Sequence, residues 1–330
     1  MKDFILKGHI VYSETPQTLS VTENGYLVCV EGKSAGVFRE LPEQYAHLPV
    51  TDCGDRLIIP GMTDLHVHAP QYAFRSIGMD MELLDWLNTY TFPEESRYAD
   101  LEYAERAYRL FADDLRRGAT TRACIFATLH REATGLLMRM LDGSGLYTRV
   151  GKVNMDRNSP DALREDSAAA SLEDTRKWLE EGADLHHCRP ILTPRFTPSC
   201  TDALMEGLGQ LQKETGLPVQ SHLSESLGEM AWVRELCPDT RFYGEAYSKF
   251  GLFGENGACI MAHCVHCPDE EIALMRRNGV FIAHCPQSNT NLSSGVAPVR
   301  RYLTQGMHMG LGTDVAGGAH LSMFRALTDA

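Results

Sequence analysis

Residues Arg56–His68, RLIIPGMTDLHVH, form an apolar run that ends on two histidines two positions apart, and Pro70 breaks the chain just afterwards. In a strand alternate side chains share a face, so His66 and His68 project together while Leu65 and Val67 point the other way. Two imidazoles on one face are either a solvated pair at a strand end or part of a site for a Zn²⁺-type ion. The second reading needs at least one more protein ligand and, for catalysis, an open position. The rest of the chain has to supply that ligand at the same end of a sheet.

Seven more apolar segments follow: TTRACIFAT (120–128), YTRVGKVNM (147–155), HCRPILTPRF (187–196), LPVQSHLSE (217–225), ACIMAHCV (258–265), GVFIAHCPQS (279–288) and HMGLGTDV (308–315). Helical spacing appears between them, most clearly over 98–118, where Leu101, Ala104, Tyr108, Phe111 and Leu115 recur every three or four residues. Another helix opens on Thr201 or Asp202 as N-cap and ends on Gly216; a third runs from Pro268 and acids to arginines and Gly279. Eight strand–helix alternations predict an α/β fold, a (β/α)8 TIM barrel, whose active site gathers at the C-terminal ends of the strands. In this register strand one ends at His66 and His68, strand four at Arg195 and strand five at His222 and Glu225. Strands six, seven and eight end at His263, His284 and Asp314. Each alone reads better as a structural histidine or a surface acid, but their gathering at one rim favours a single site.

Residues 1–56 read differently. FILKGHIVY, GYLVCVEGKSAGVF and HLPVTDCG alternate β-branched and aromatic residues with Gly and Asn breaks, which predicts a small N-terminal β unit ahead of a barrel over 57–330. With 31 basic and 44 acidic residues the formal charge is -13, which argues against nucleic acid as a partner and for a small-molecule substrate. The start, MKDFILKGHIVYSE, has no long apolar core, so neither a secretory signal nor a membrane span is expected and the reading is cytoplasmic. Ten cysteines scattered through apolar runs suit reduced, buried thiols; CVHC at Cys264–Cys267 lacks the second pair that would close a metal site.

Neutral His66, His68 and His222 with the Asp314 carboxylate make a four-ligand set of nitrogen and oxygen donors that leaves a position for water. A metal so held makes hydroxide available near neutral pH. Glu225, three residues beyond His222, is placed to take the proton from that water and return it to a leaving group. His263 either orients the hydroxide or adds a ligand, and Asp314 serves as ligand and proton acceptor. No serine or cysteine nucleophile is required.

These residues resemble the amidohydrolase superfamily and, within it, its guanine-deaminating branch. The resemblance lies in PGMTDLHVHAPQYAF (60–74), LLDWLNTYTFPEE (83–95), TPRF (193–196), HLSE (222–225), MAHC (261–264), AHCPQSN (283–289) and GLGTDVAGG (310–318). H-x-H and the terminal Asp mark the superfamily; HAPQY, WLNTYTFP and TPRF are more specific. The resemblance implies metal binding by His66, His68, His222 and Asp314, proton shuttling by Glu225 and Asp314, and His263 beside the metal-bound water. It assigns Gln71 and Arg195 to the hydrogen-bonding edge of a purine and Phe196 to its face, with His222 bordering the substrate as well. Physically, the Arg195 fork suits the O6 and N7 acceptors of guanine, glutamine offers a donor and an acceptor, and an aromatic ring stacks on a base. The implied reaction is attack of hydroxide on C2 of guanine, with Glu225 protonating the ring nitrogen and then the amine, giving xanthine and ammonia.

The resemblance also implies zinc, with Fe²⁺ as the alternative, and a homodimer. One metal per chain is expected, because the carboxylated lysine of two-metal members has no counterpart where ILTPRF offers Arg195. The cytidine-type zinc deaminases, built on H-x-E and P-C-x-x-C, are set aside because the proline of HCVHCP falls on the wrong side. The chain stops at LSMFRALTDA, inside the expected eighth helix, whereas family members continue and complete the N-terminal unit as a composite β-sandwich. The rival readings are an aminohydrolase for another aminopurine, a pterin or a triazine, and a non-catalytic scaffold.

Overall fold

The computed structural model describes residues 3–330, which fall into two compact units divided after Gly61. The first is a four-stranded sheet of β1 (Phe4–Thr15), β2 (Thr18–Val30), β3 (Lys33–Phe38) and β4 (Val50–Ile58) in the order β3-β2-β1-β4. β1 pairs antiparallel with β2 and parallel with β4. β2 starts at Thr18, seven residues ahead of Gly25, where GYLVCVEGKSAGVF begins. The polar Thr22–Gly25 stretch is a bulge rather than a turn: Asn24 has φ 50, and a Cβ on Gly25 would lie 2.4 Å from Thr22 Cγ2.

The second unit is the barrel. Its strands are β5 (Met62–His68), β6 (Thr120–Phe126), β7 (Tyr147–Gly151), β8 (Val153–Asn154), β9 (Cys188–Pro190), β10 (Thr193–Pro194), β11 (Val219–Leu223), β12 (Cys259–His263), β13 (Phe281–His284) and β14 (His308–Leu311). Parallel pairing runs β5-β6-β7-β9, β8-β10 and β11-β12-β13-β14. Backbone bonds close the seams. Leu192 N–H donates to Pro218 O and Gln220 N–H to Leu192 O, each at 2.9 Å, while Asp314 N–H donates to His66 O at 2.8 Å and His68 N–H to Val315 O at 3.1 Å. The third and fourth of the eight positions are each split in two. Pairing of β7 with β9 runs to Val150 opposite Pro190 and resumes between β8 and β10 at Val153 opposite Thr193, so the interruption lies between the two prolines.

The helices follow their sequence signals closely. Leu101–Arg117 is capped by the Asp100 carboxylate, which accepts from the Glu102 and Tyr103 amides, and it buries Ala104, Tyr108, Phe111 and Leu115. Leu101 is a departure: as the first helical residue it faces solvent. Thr201 caps Asp202–Thr215, and Gly216 at φ 66 ends that helix in the left-handed conformation that glycine adopts without penalty. The stretch Leu83–Ser96 is largely helical and sends Trp86, Leu87 and Phe92 inward. No helix among the described residues is long and apolar enough to cross a membrane.

Candidate active site

The rim histidines converge. His66 Nε2 lies 3.2 Å from His68 Nε2, which lies 3.3 Å from His222 Nε2; Asp314 Oδ1 stands 3.1 Å from His66 Nε2 and 3.4 Å from His68 Nε2. Alternation along β5 puts both His66 and His68 inside, as their spacing predicts. The His222 tautomer is fixed from behind, because Nδ1–H donates to the Arg195 carbonyl at 2.6 Å and leaves the Nε2 lone pair facing the cluster. Lone pairs aimed at one another at such distances repel unless a cation lies between them. A tetrahedral ion with bonds of about 2.0–2.1 Å would separate its ligands by about 3.3–3.4 Å. The four donors therefore fit a divalent ion.

Electrostatics agree with that fit. Burial, followed by the neighbouring His66, holds the His68 and His222 imidazoles well below their usual range, so both are neutral donors. Burial alone would raise the Asp314 carboxyl, but His66, His263 and His68 together hold it far below the usual range, as a carboxylate. Cys285 also lies within reach of His66, His263 and Asp314, yet burial pushes its thiol well up, and it stays protonated. Ser224, His263, Cys264 and Asp314 all have positive φ, between 46 and 71. Four non-glycine residues in that conformation at three strand ends mark strain stored at the site.

Glu225 is buried beside the cluster. Its Oε2 is 3.3 Å from His263 Nε2, and its Oε1 accepts from Ser294 Oγ at 3.1 Å. Burial and the charge of Asp314 hold its carboxyl well above the usual range. His263 is oriented by Asn289, whose Oδ1 accepts from Nδ1–H at 2.9 Å; its Nε2 is 3.8 Å from Asp314 Oδ2. The Glu229 carboxylate accepts from the Glu225 amide at 3.0 Å and from the Tyr243 hydroxyl at 2.8 Å.

A cavity opens over the cluster, and every sequence-predicted site residue except His66 lines it: His68, Gln71, Arg195, Phe196, His222, Glu225, His263 and Asp314. Trp86, Leu83 and Leu87 from the 83–96 excursion wall it, with Glu229 and Leu292. His66 sits one layer behind. His284, which ends β13, lines a separate cavity instead. The sequence reading missed Glu95, which is buried and bound to both Arg195 and Gln71, as well as Glu229, Asn289 and Ser294. For Glu95 one signal was present, an acid between Phe92 and Tyr98 in a stretch otherwise rich in buried aromatics. The others are polar residues of ordinary appearance.

A profile of the Amidohydrolase family matches residues 57–330. Guanine deaminase of Dictyostelium discoideum is 44% identical over 284 residues, 85% of this chain and 62% of that protein. A probable guanine deaminase of Schizosaccharomyces pombe is 39% identical over 99% of this chain and 60% of its own length. The chain thus spans about three-fifths of these curated relatives. The crystal structure of guanine deaminase from C. acetobutylicum with guanine bound in the active site superposes at a TM-score of 0.97 with 47% identity, over 100% of this chain and 78% of that one. With the profile spanning the entire barrel and the fold shared along the full chain, this protein belongs to the amidohydrolase family.

Proposed function

We propose that the chain is a guanine deaminase, hydrolysing guanine to xanthine and ammonia, with one zinc ion held by His66, His68, His222 and Asp314. The observation that carries this reading is the Arg195 guanidinium, a planar fork of donors beside Gln71 in the same cavity as the histidine and aspartate cluster. Such a wall reads the O6 and N7 acceptors of a 6-oxopurine and turns C2 of the base away from it, towards the cluster. The names of the similar proteins point the same way.

Phe196, held edge-on to Trp232 at 6.1 Å, offers a ring for the base, and Trp86 and Leu87 exclude water from its surroundings. The ion, when bound, supplies Lewis acidity that brings the pKa of a water ligand towards neutrality. Glu225, whose carboxyl is held well above its usual range by burial and by the charge of Asp314, takes a proton as the water oxygen bonds to C2 and delivers it to the ring nitrogen. A second proton, taken by Glu225 or Asp314 from the hydroxyl now on C2 and passed to the exocyclic nitrogen, lets the C2–N bond break as the C2 carbonyl forms and ammonia leaves. His263 holds the far side of Glu225. Glu225→Gln tests the assignment: turnover falls by at least about 10²-fold with metal retained, whereas normal turnover contradicts it. The same reading carries a cytoplasmic homodimer, and light scattering on the purified protein checks the dimer.

A further inference from the structure

Behind the cavity wall lies an ordered polar array. Glu95 is 1% exposed and does not line the cavity. Its carboxylate accepts from both terminal nitrogens of Arg195, at 2.5 and 3.1 Å, and from Gln71 Nε2 at 3.0 Å. Gln71 Oε1 accepts from the Ala316 amide at 3.2 Å. This network fixes the orientation of the Gln71 amide, because a flipped amide would set two donors face to face at Ala316 and two acceptors face to face at Glu95. Phe92, three residues before Glu95 on the same short helix, places its ring 5.2 Å from the Arg195 guanidinium.

We infer that Glu95 is a positioning residue that makes the purine-reading wall donor-only. It occupies one N–H of each Arg195 terminal nitrogen and one of Gln71, which leaves the second N–H of each as the group available to a ligand. The Gln71 oxygen is turned away to Ala316. A base with acceptors at positions 6 and 7 matches such a wall, and a base with an amine at position 6 sets donor against donor. The inference rests on the guanine deaminase reading and deepens it, because discrimination between 6-oxo and 6-amino purines is assigned to a residue that never touches the base.

The test compares guanine with 2,6-diaminopurine, which carries the same 2-amine, in the wild-type holoenzyme and in Glu95→Gln and Glu95→Asp. In Glu95→Gln the amide brings its own N–H groups against Arg195 or Gln71, so both lose their fixed orientation. KM for guanine is expected to rise at least about tenfold with a smaller change in kcat, the preference for guanine over 2,6-diaminopurine to fall, and metal content to stay unchanged. Glu95→Asp, still acceptor-only, is expected to recover part of the preference. An unchanged preference in folded, metal-loaded Glu95→Gln overturns the inference. Should that variant not fold, competition on the wild type decides: hypoxanthine must compete with guanine at least about tenfold better than adenine, and equal competition overturns the donor-only wall. A wild type with no activity on guanine refutes the function reading itself, which is a separate outcome.

Discussion

Gly312 tests the metal cluster through packing alone. An added Cβ there would lie 2.8 Å from His66 Cβ, 3.0 Å from the His66 carbonyl oxygen and 3.0 Å from Cys285 Sγ. Ordinary contacts between carbons begin near 3.5 Å, so His66 or the strand must move by about 0.7 Å. The backbone has little room to retreat, because Gly312 N–H is bonded to His284 O at 2.9 Å and Asp314 N–H to His66 O at 2.8 Å. Metal sites tolerate about 0.2 Å in ligand position, so the displacement exceeds what the cluster absorbs. Gly312→Ala is expected to cost about 1–3 kcal/mol in stability through overpacking and to weaken metal binding by at least about tenfold. Gly310→Ala, two residues earlier on β14, is the control: its Cβ would meet only the flexible end of Leu65, at 2.6 Å. The assay is competition for the metal against a chromophoric chelator, with thermal unfolding of each variant with and without metal. Gly312→Ala that binds metal as tightly as Gly310→Ala would refute the reasoning.

Two more predictions concern the buried charges. Arg195→Ala leaves the Glu95 carboxylate buried with Gln71 as its remaining partner, and breaking a buried pair in this way costs about 3–5 kcal/mol, read by urea denaturation; guanine turnover is expected to vanish with metal retained, and surviving turnover contradicts the role of Arg195. Glu229 has its carboxyl pushed up to about 7 by burial and by the neighbouring Glu225. Because the folded value is the higher one, its contribution to stability is fully present below the ordinary value of 4.5 and is lost as pH rises through 7. Glu229→Gln, which mimics the protonated form, should therefore show a shallower fall in unfolding free energy between those two pH values, and an unchanged slope would contradict the assignment.

Local patterns made much of this protein legible. The strand period of two put His66 and His68 on one face, and the recurring strand–helix alternation fixed which ends of the strands would gather. His222, Glu225, His263 and Asp314 followed as a group. The Thr201 cap and Gly216 stop were equally visible, since capping is chemistry between neighbours in sequence. The supports behind the site were not. Glu95 reaches Arg195 across 100 residues and Ser294 reaches Glu225 across 69; such bonds leave no periodic trace. The 83–96 stretch was unreadable for another reason: its helical turns are short and carry a π segment, so no regular apolar stripe forms. β2 was truncated because Gly25, which looks like a break, permits a bulge.

The most direct measurement is ammonia release from guanine by the purified chain, with adenine and cytosine as controls and metal determined on the same sample. The account predicts release from guanine alone, with about one metal ion per chain. A chain that binds its metal and releases no ammonia from guanine would contradict it.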